Sequence, residues 1–484
     1  MVDLDRLFYP RNICLIGVSD NPIKGATAYC YALKHVNFDK PIYCINKNRK
    51  KVIFDMDAYP SILNVPEDNI DYVIIGIPRL LVPQAIKECS EKNVKFVTIF
   101  TSGFSELGTE EGIKLENEIV KIARNHGLRL IGPNCLGPFC QESKVTMTEI
   151  MEIKEYEYDS NCAFISQSGG HTGSFFDIGS NRGFPFHKVV SIGNQCDLTI
   201  QDFIEYFTQD PKIKVISCYI EKIKSVQNFL QILKKSTKKK PVIFWKGGQN
   251  KEGLIAASSH TGAITSSYDI FKSAIEQNGG IISENIEELA DLTLGSKYFT
   301  NKIIGKNIAI MVPGGGSCVE MTDQAVKFGL NIPELQKKTQ DNIQEYIQKI
   351  NTSTRNPVDL GVYGWLPKIY SDVLISISKD PHIDLIAFYF MIERLPNFIN
   401  RIHDTRLGVS FIRNIKRAQK KSLKPLIGII PNFNVNNIEI TKLRKKFIDG
   451  LCKLGIPYFE SMERAARVIS KLIKYNKWKV NHNI

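Results

Sequence analysis

The 484-residue sequence predicts an α/β protein with doubly wound sheets. Short apolar runs alternate with amphipathic helical patterns along the chain, which is typical of parallel strands covered by helices on both faces. Most apolar runs end in turns rich in Gly, Pro and small polar residues. Since a domain usually holds about 100–200 residues, the length favours roughly three such units.

The first segment contains the pattern of a parallel sheet. Strands are predicted over residues 12–18, 41–46, 71–77, 94–100 and 128–131, and helices over 27–35, 83–92 and 110–125. In sheets of this kind, ligands bind at the carboxyl ends of the strands. We therefore expect the turns that follow these strands to form a binding site.

The turns after the first two strands favour a phosphate-bearing ligand. Residues 17–25 lack the Gly-x-Gly-x-x-Gly pattern, but they offer backbone N–H groups, the Ser19 hydroxyl and Lys24. The second strand leads into the basic run 47–51, where an NAD site would place a carboxylate for the ribose hydroxyls. Positive charge suits a ribose phosphate, as in coenzyme A or NADP. An NAD-type site is the weaker alternative. Later turns with small residues contain Pro78, Ser102-Gly103 and Asn134.

A second α/β segment follows the charged link 142–160. Its strands are predicted over 162–165, 186–191, 215–219 and 241–246. The first strand leads through Ser168-Gly169-Gly170 into a helix, and such a turn offers free N–H groups and the helix dipole to an anion. A plain strand-to-helix turn is the structural alternative.

His260 lies among small residues in the stretch 256–263, after the fourth of these strands. Small neighbours leave an imidazole accessible as a nucleophile toward a phosphoryl group. Glu221 follows the third strand, so it is expected at the same sheet edge, where a carboxylate can fix the imidazole tautomer. A polar surface histidine is the ordinary alternative.

A third segment begins near residue 306. Strands are predicted over 307–312, 385–391 and 425–430, and a final helix over 462–475. The turn Gly314-Gly315-Gly316 lacks the Gly-Lys-[Ser/Thr] of a P-loop, so a nucleotide site of that type is not supported. A structural turn is the favoured interpretation, and anion binding is the alternative.

Composition excludes several function classes. The net charge of +13 is spread over many segments without a nucleic-acid-binding motif, so it suits an anionic small molecule or an acidic partner. The 11 cysteines occur singly, with no Cys-x-x-Cys pair, which argues against a zinc site and against the disulfide framework of a secreted protein. No signal peptide or membrane-length apolar run is visible, so we expect a cytoplasmic protein without a membrane span.

Eight short motifs in chain order resemble one family. They are Gly17-Val18-Ser19 with Lys24-Gly25, Ser102-Gly103-Phe104 with Glu106, Gly132-Pro133-Asn134-Cys135-Leu136-Gly137, Ser166-Gln167-Ser168-Gly169, Gly193-Asn194, Tyr219-Ile220-Glu221, Ser259-His260-Thr261-Gly262-Ala263 and Asn356-Pro357-Val358-Asp359-Leu360. The chain resembles the α subunit of NDP-forming acyl-CoA synthetases, the ADP-forming acetate–CoA ligase branch of the succinyl-CoA synthetase superfamily.

The resemblance implies an architecture and a reaction. It implies an N-terminal Rossmann-like CoA-binding domain (1–141) and two flavodoxin-like domains, one with the phosphohistidine loop (160–300) and one following it (305–484). The implied reaction is acyl-CoA + ADP + phosphate ⇌ carboxylic acid + ATP + CoA, through an acyl phosphate and a phosphohistidine. The family pairs this subunit with an ATP-grasp β subunit. The resemblance implies that this partner is a separate chain, that it forms a hetero-oligomer with the present chain, and that it holds ADP or ATP with Mg²⁺.

The resemblance also assigns residues. His260 matches the phosphohistidine and Glu221 its supporting carboxylate, whereas Ser168, Gly169 and Gly170 match the phosphate-binding turn. The expected CoA-binding residues are Gly17, Ser19, Lys24, Gly25, Lys47, Pro78, Ser102, Gly103 and Asn134.

Three positions depart from the family pattern: Lys47, Lys222 and His171 stand where relatives usually have other residues. His171 lies within the phosphate turn and is a rival phosphoryl acceptor. Two other classes of function stay open from the sequence: a non-catalytic CoA-binding regulator, and an NAD(P)-linked oxidoreductase.

Overall fold

The computed structural model describes residues 2–19, 21, 25–47, 52–147, 153–156, 158–255, 267–300, 305–403, 406–433 and 436–482. The chain divides into two compact units, 1–289 and 290–484. The described residues contain three sheets built mainly of parallel strands, which confirms the predicted fold class. The predicted helices Thr27–His35 and Glu110–Asn125 and the strand Phe186–Ser191 agree with the structure at both ends.

The first sheet has the strand order β3-β4-β2-β1-β5-β6-β7. Its strands are β1 (Ile13–Ile16), β2 (Ile42–Ile45), β3 (Val52–Ile53), β4 (Met56–Tyr59), β5 (Tyr72–Ile75), β6 (Phe96–Ile99) and β7 (Arg129–Ile131), and its helices are α1 (Asp5–Phe8), α2 (Thr27–His35), α3 (Val82–Glu91) and α4 (Glu110–Asn125). Short 3₁₀ turns cover Ile62–Asn64, Arg79–Leu81 and Ser105–Leu107. Strands β1 and β5 are buried along their whole length, as expected for central parallel strands covered on both faces.

The order of these strands creates a switch point. From β1 the chain moves outward to β2 and β4, and it then returns to place β5 on the other side of β1. The two strands pair in parallel, with Ile16 opposite Ile75. The turns after β1 and β5 therefore diverge from neighbouring strand ends, which is where open α/β sheets bind ligands.

The second sheet has the order β13-β12-β11-β9-β10-β8. Its strands are β8 (Gly137–Cys140), β9 (Cys162–Ser166), β10 (Phe186–Ser191), β11 (Val215–Ile220), β12 (Val242–Lys246) and β13 (Ile281–Ser283), and its helices are α5 (Gly169–Arg182), α6 (Ile200–Gln209), α7 (Val226–Lys239) and α8 (Tyr268–Gln277). Strand β8 was not predicted, because four residues containing Gly and Pro give no strand pattern. It pairs antiparallel with β10, so residues 137–140 complete the edge of this second sheet.

The second unit contains a parallel sheet of order β15-β14-β16-β17-β18. Its strands are β14 (Ile308–Val312), β15 (Val358–Asp359), β16 (Leu385–Tyr389), β17 (Leu426–Ile429) and β18 (Tyr458–Phe459). The helices from the unit boundary onward are α9 (Ile286–Phe299), α10 (Gly315–Lys327), α11 (Lys337–Gln344), α12 (Pro367–Ser378), α13 (Leu395–Ile402), α14 (Leu407–Lys421), α15 (Ile438–Lys453) and α16 (Met462–Asn481), with 3₁₀ turns at Gly361–Trp365 and Ile392–Arg394. Helix α16 continues past residue 475, where the predicted helix ends. In the residues described, none of the helices is both long enough and apolar enough to cross a bilayer.

Candidate active site

A cavity of about 580 Å³ is lined by turns from both sheets of the first unit. One part of the lining follows β9 and β11, and it contains Gln167, Ser168, Gly169, His171, Tyr219 and Glu221. Another part comes from the turns after β6, β7 and β10 and from α4, and it includes Glu106, Glu116, Asn134 and Asn194. The structure thus brings Glu221 together with two of the three predicted phosphate-binding residues.

The backbone of Glu221 is fixed from two sides. Its N–H donates to Gln167 Oε1, and the N–H of Lys222 donates to the same oxygen over 2.9 Å. Lys246 Nζ donates to the carbonyl oxygens of Glu221 at 2.8 Å and of Gly247 at 2.6 Å. Lys246 is 3% exposed, and burial lowers its pKa, an effect that the Glu221 carboxylate opposes. These contacts hold the end of β11 in one position.

The carboxylate of Glu221 accepts a hydrogen bond from Tyr219. The phenol oxygen lies 3.0 Å from Glu221 Oε1, and burial together with the nearby carboxylate raises the pKa of Tyr219, so the hydroxyl stays a donor. A Cβ at Gly247 would lie 2.6 Å from that hydroxyl oxygen and 3.2 Å from Glu221 Cγ. The hydrogen-bonded side chains of Tyr219 and Glu221 therefore leave no room for a side chain at position 247.

Helix α5 begins at the cavity wall with an N-cap and two glycines. The Ser168 hydroxyl oxygen accepts the N–H of His171 at 3.3 Å, and the Ser168 carbonyl accepts that of Thr172 at 3.0 Å. The N–H groups of Gly169 and Gly170 have no acceptor among the described residues. Two free amides at the positive end of a helix dipole suit an anion such as phosphate.

The imidazole of His171 belongs to a cluster of three rings. Its centroid lies 4.4 Å from that of Tyr219 and 4.7 Å from that of Trp245, and the planes of His171 and Trp245 differ by 23°. Its Nδ1 is 3.4 Å from Ser168 Oγ. Burial lowers the pKa of His171, and the negative charge of Glu221 opposes this shift.

His260 and Lys24 lie outside the described residues. In the sequence, His260 follows β12 (Val242–Lys246). The roles of these two residues stay predictions.

The turns expected to bind CoA lie at the carboxyl edge of the first sheet. Gly17 has a φ of 98° and Gly25 a φ of 59°, and a Cβ on either would lie 2.4 Å from the carbonyl oxygen of Gly76. The glycines thus allow the segments after β1, before α2 and after β5 to pack backbone against backbone. Ser19 is tied to the same region, since its N–H donates to Thr27 Oγ1 over 3.1 Å.

Other expected CoA-binding residues are exposed at this edge. Lys47, Pro78 and Ser102 follow β2, β5 and β6, respectively, and all three are exposed. Gly103 has a φ of 105°, and its carbonyl accepts from Arg79 Nη1 at 2.9 Å. Asn134 has a φ of 59° and also lines the cavity, so it joins this edge to the site of Glu221.

Sequence reasoning missed the groups that hold the site together. Asn194 Nδ2 donates to Glu106 Oε2 at 2.5 Å and to Glu116 Oε2 at 2.9 Å, which joins the turn after β10 to α4. Glu116 was detectable, since it is a carboxylate on the buried face of an amphipathic helix. Lys246 was detectable too, as a charge that ends a strand of otherwise apolar residues. The structural use of Gln167 and Asn194 depends on contacts between turns and leaves no periodic signal.

Comparison with family models identifies the class of protein. Residues 11–140 match a model described as a CoA binding domain, and residues 159–294 match the succinyl-CoA ligase like flavodoxin domain. The two matches together cover all strands of the first and second sheets, and they include the turns that line the cavity. Fold and site together therefore indicate a CoA ligase of the succinyl-CoA type.

Two relatives narrow the class. The chain is 32% identical over 475 residues to the α subunit of acetate–CoA ligase [ADP-forming] II of Pyrococcus furiosus, with 98% of each chain covered. It is 31% identical over 494 residues to the α subunit of ligase I of the same organism, with 99% of each covered. The chain belongs to the family of ADP-forming acetate–CoA ligases and corresponds to their α subunit.

A solved structure agrees with this assignment. Dinucleotide forming acetyl-coenzyme A synthetase 1 of Ca. Korarchaeum cryptofilum, in complex with phosphate and ADP, matches with a TM-score of 0.84 and 27% identity, over 99% of this chain and 98% of that one. These matches favour the ligase interpretation over a non-catalytic CoA-binding regulator and over an NAD(P)-linked oxidoreductase.

Proposed function

We propose that this chain binds acyl-CoA and phosphate and carries the phosphoryl group, as the α subunit of an ADP-forming acyl-CoA synthetase. The overall reaction is acyl-CoA + ADP + phosphate ⇌ carboxylic acid + ATP + CoA. One observation supports this most directly: Glu221 and Gly169 line the same cavity, and among the described residues the N–H groups of Gly169 and the adjacent Gly170 have no acceptor. A site with fixed donors and a fixed acceptor suits transfer of an anionic group.

In the first step, phosphate attacks the thioester carbonyl carbon. A C–O bond forms, the C–S bond breaks, and CoA leaves as a thiolate that takes up a proton. The N–H groups of Gly169 and Gly170 hold the phosphate oxygens, with Ser168 fixing the start of α5. Lys222 and Lys224 also line the cavity and add positive charge for the anionic intermediate.

In the second step, a ring nitrogen of His260 attacks the phosphorus of the acyl phosphate. The bond between phosphorus and the acyl oxygen breaks, and the carboxylate leaves. Glu221 accepts a hydrogen bond from the other ring nitrogen and stabilises the positive charge that develops on the imidazole. The contacts of Glu221 with Tyr219 and Gln167 keep this acceptor in place.

CoA is proposed to lie along the carboxyl edge of the first sheet. Gly17, Ser19, Gly25 and the exposed Lys47, Pro78 and Ser102 belong to the turns at this edge, with Lys24 in the undescribed part of the first turn. Asn134 and Gly103 continue the edge toward the cavity. A thiol end near Asn134 would bring the thioester to the phosphate site.

The phosphoryl group then passes to ADP on a partner. We propose a separate ATP-grasp β subunit that holds ADP and Mg²⁺, in a hetero-oligomer with this chain. We also propose that the complex works in the cytoplasm. All cysteines of the chain are free, and most are buried, as suits a reducing compartment.

The proposal is tested with the complex of this chain and its co-purified partner. ATP formation from acyl-CoA, ADP and phosphate is measured, starting with acetyl-CoA because the relatives are named for acetate. Glu221→Gln keeps the shape of the side chain and removes its charge, so turnover should fall by roughly 100-fold. Glu276→Gln changes an exposed glutamate of the same unit and should leave turnover unchanged. Equal turnover in both variants would reject the role of Glu221.

A further inference from the structure

The proposed reaction leaves one feature of the cavity without a role. His171 is the third residue of α5 and lines the cavity beside Ser168 and Gly169. The resemblance described in the sequence analysis also makes it a rival phosphoryl acceptor. A histidine at this position could accept the phosphoryl group covalently, or it could bind phosphate without being phosphorylated.

The ring cluster keeps His171 in place. Tyr219 and Trp245 contact the imidazole at centroid distances of 4.4 and 4.7 Å, and they contact each other at 4.6 Å. Trp245 lies on β12 and Tyr219 on β11, both central in the sheet. A ring packed on two strands of a sheet cannot travel to a second site without breaking these contacts.

The contact with Ser168 bears on which nitrogen of the His171 ring carries the proton. Ser168 Oγ accepts the His171 N–H and lies 3.4 Å from His171 Nδ1, and we infer that its one hydrogen is donated to Nδ1. Because Nδ1 then accepts, the neutral ring has its proton on Nε2. The charged groups that line the cavity with this ring are Glu221, Lys222, Lys224, Glu106 and Glu116.

We propose that His171 is a stationary hydrogen-bond donor to phosphate in this cavity, through Nε2–H, and not a second phosphoryl carrier. The inference rests on the proposed function, since it requires phosphate at the start of α5. In this tautomer Nε2 has no lone pair for attack on phosphorus, and that of Nδ1 is engaged by Ser168. His171 adds a side-chain donor to the amides of Gly169 and Gly170, so bound phosphate gains a third hydrogen bond.

The first test measures binding of inorganic phosphate to the full chain by titration calorimetry. His171→Phe keeps an aromatic ring against Tyr219 and Trp245 but has no donor, so phosphate affinity should fall about 5- to 15-fold. His171→Gln keeps an amide donor and should bind phosphate more tightly than His171→Phe. CoA affinity, measured with the same samples, reports the integrity of the fold and should stay within about twofold.

Two results would overturn the donor role. One is wild-type phosphate affinity in His171→Phe. The other is weaker phosphate binding in His171→Gln than in His171→Phe, because ring packing rather than a donor would then set the affinity.

The second test asks whether His171 carries the phosphoryl group. The complex that contains His260→Ala is incubated with γ-labelled ATP and digested, and the peptide with His171 should be unlabelled. Label on His171 would overturn the proposal. Failure of the proposed function looks different: a wild-type complex that makes no ATP while His171→Phe still weakens phosphate binding would reject the reaction and keep the donor role.

Discussion

Three neighbouring side chains hold Glu221, the carboxylate proposed to support the phosphohistidine. Gln167 and Lys246 fix its backbone, and Tyr219 fixes its carboxylate. A carboxylate held by a hydroxyl has lost most of its rotational freedom before any ligand arrives, which is how a site lowers the entropy cost of reaction.

Tyr219→Phe should separate positioning from packing. The ring and its contacts with His171 and Trp245 remain, but the hydrogen bond to Glu221 is lost. We expect turnover of the complex to fall about 3- to 10-fold, with about 1 kcal/mol less stability to urea. Tyr43→Phe removes a comparable bond to Glu67 elsewhere in the unit, at 3.3 Å, and should lower stability alone. Equal turnover in the two variants would contradict the positioning role.

The sequence predicts the candidate site residues better than it predicts the residues that hydrogen-bond to them and hold them in place. Glu221 and Ser168 follow strands, and strand ends of a parallel sheet meet at one edge, so their proximity follows from the fold class. Gln167 and Asn194 act through contacts between turns that are distant in the sequence. No periodic pattern encodes such contacts, so only the structure reveals them.

At the scale of the element, α5 combines a structural cap with a proposed binding function. Ser168 caps the helix, while the N–H groups of the two glycines after it have no acceptor among the described residues. A Cβ at Gly170 would meet no atom of the described residues within 4 Å, so no described residue covers the start of the helix on that side. An end of this kind is available to an anion as large as phosphate.

Ser168→Ala tests the two roles of this turn. Loss of the cap should cost about 1 kcal/mol of stability, and phosphate affinity should fall because the amides lose their fixed orientation. Ser461→Ala removes the same kind of cap from α16, where Ser461 accepts the N–H of Arg464 at 3.2 Å. The control should lose stability in thermal unfolding and keep its phosphate affinity. Phosphate affinity that is unchanged in both variants, or lowered equally in both, would contradict phosphate binding at the start of α5.

Element boundaries were predictable where one pattern dominated. The amphipathic period and the Thr109 cap define α4, so both of its predicted ends agree with the structure. Strand β8 escaped prediction because it is short and gains its hydrogen bonds from β10, far along the chain. Pairing between distant segments overrides weak local preference in such edge strands.

At the scale of the molecule, a buried charged network joins the N-terminal segment to the second sheet. Lys188 on β10 is 1% exposed, and its Nζ donates to the Tyr9 hydroxyl at 3.0 Å and also to Asp210. The neighbouring His187 lies 3.9 Å from carboxylate oxygens of Asp210 and Glu142. Buried charges are tolerated here because each has a close partner.

This network predicts how stability depends on pH. Burial and the positive charge of Lys188 lower the pKa of His187 from 6.5 to about 4, against the opposing effect of the two carboxylates. Because the folded value lies below the unfolded one, the unfolded chain takes up the proton first. The contribution of His187 is complete above about pH 6.5 and is lost as the pH falls toward 4, on the order of 2–3 kcal/mol.

Urea unfolding between pH 7 and pH 4 measures this effect. His187→Gln has no titrating ring, so its unfolding free energy should change less over this interval than that of the wild type. Parallel curves for the two proteins would contradict the prediction.

The domain boundaries 1–141, 160–300 and 305–484 stay a prediction from the sequence. In the structure, β8 pairs with β10 of the second sheet. Composition and alternation of strands and helices were enough to predict the fold class. The division into compact units depends on which segments pack together. In the structure this division falls between residues 289 and 290.

The central claim is that this chain carries the phosphoryl group on His260. The direct measurement is to incubate the complex with γ-labelled ATP and to locate the label by mass spectrometry. We predict acid-labile, base-stable label on the peptide with His260, absent in His260→Ala and reduced about 100-fold in Glu221→Gln. Undiminished labelling of this chain in His260→Ala would contradict the account.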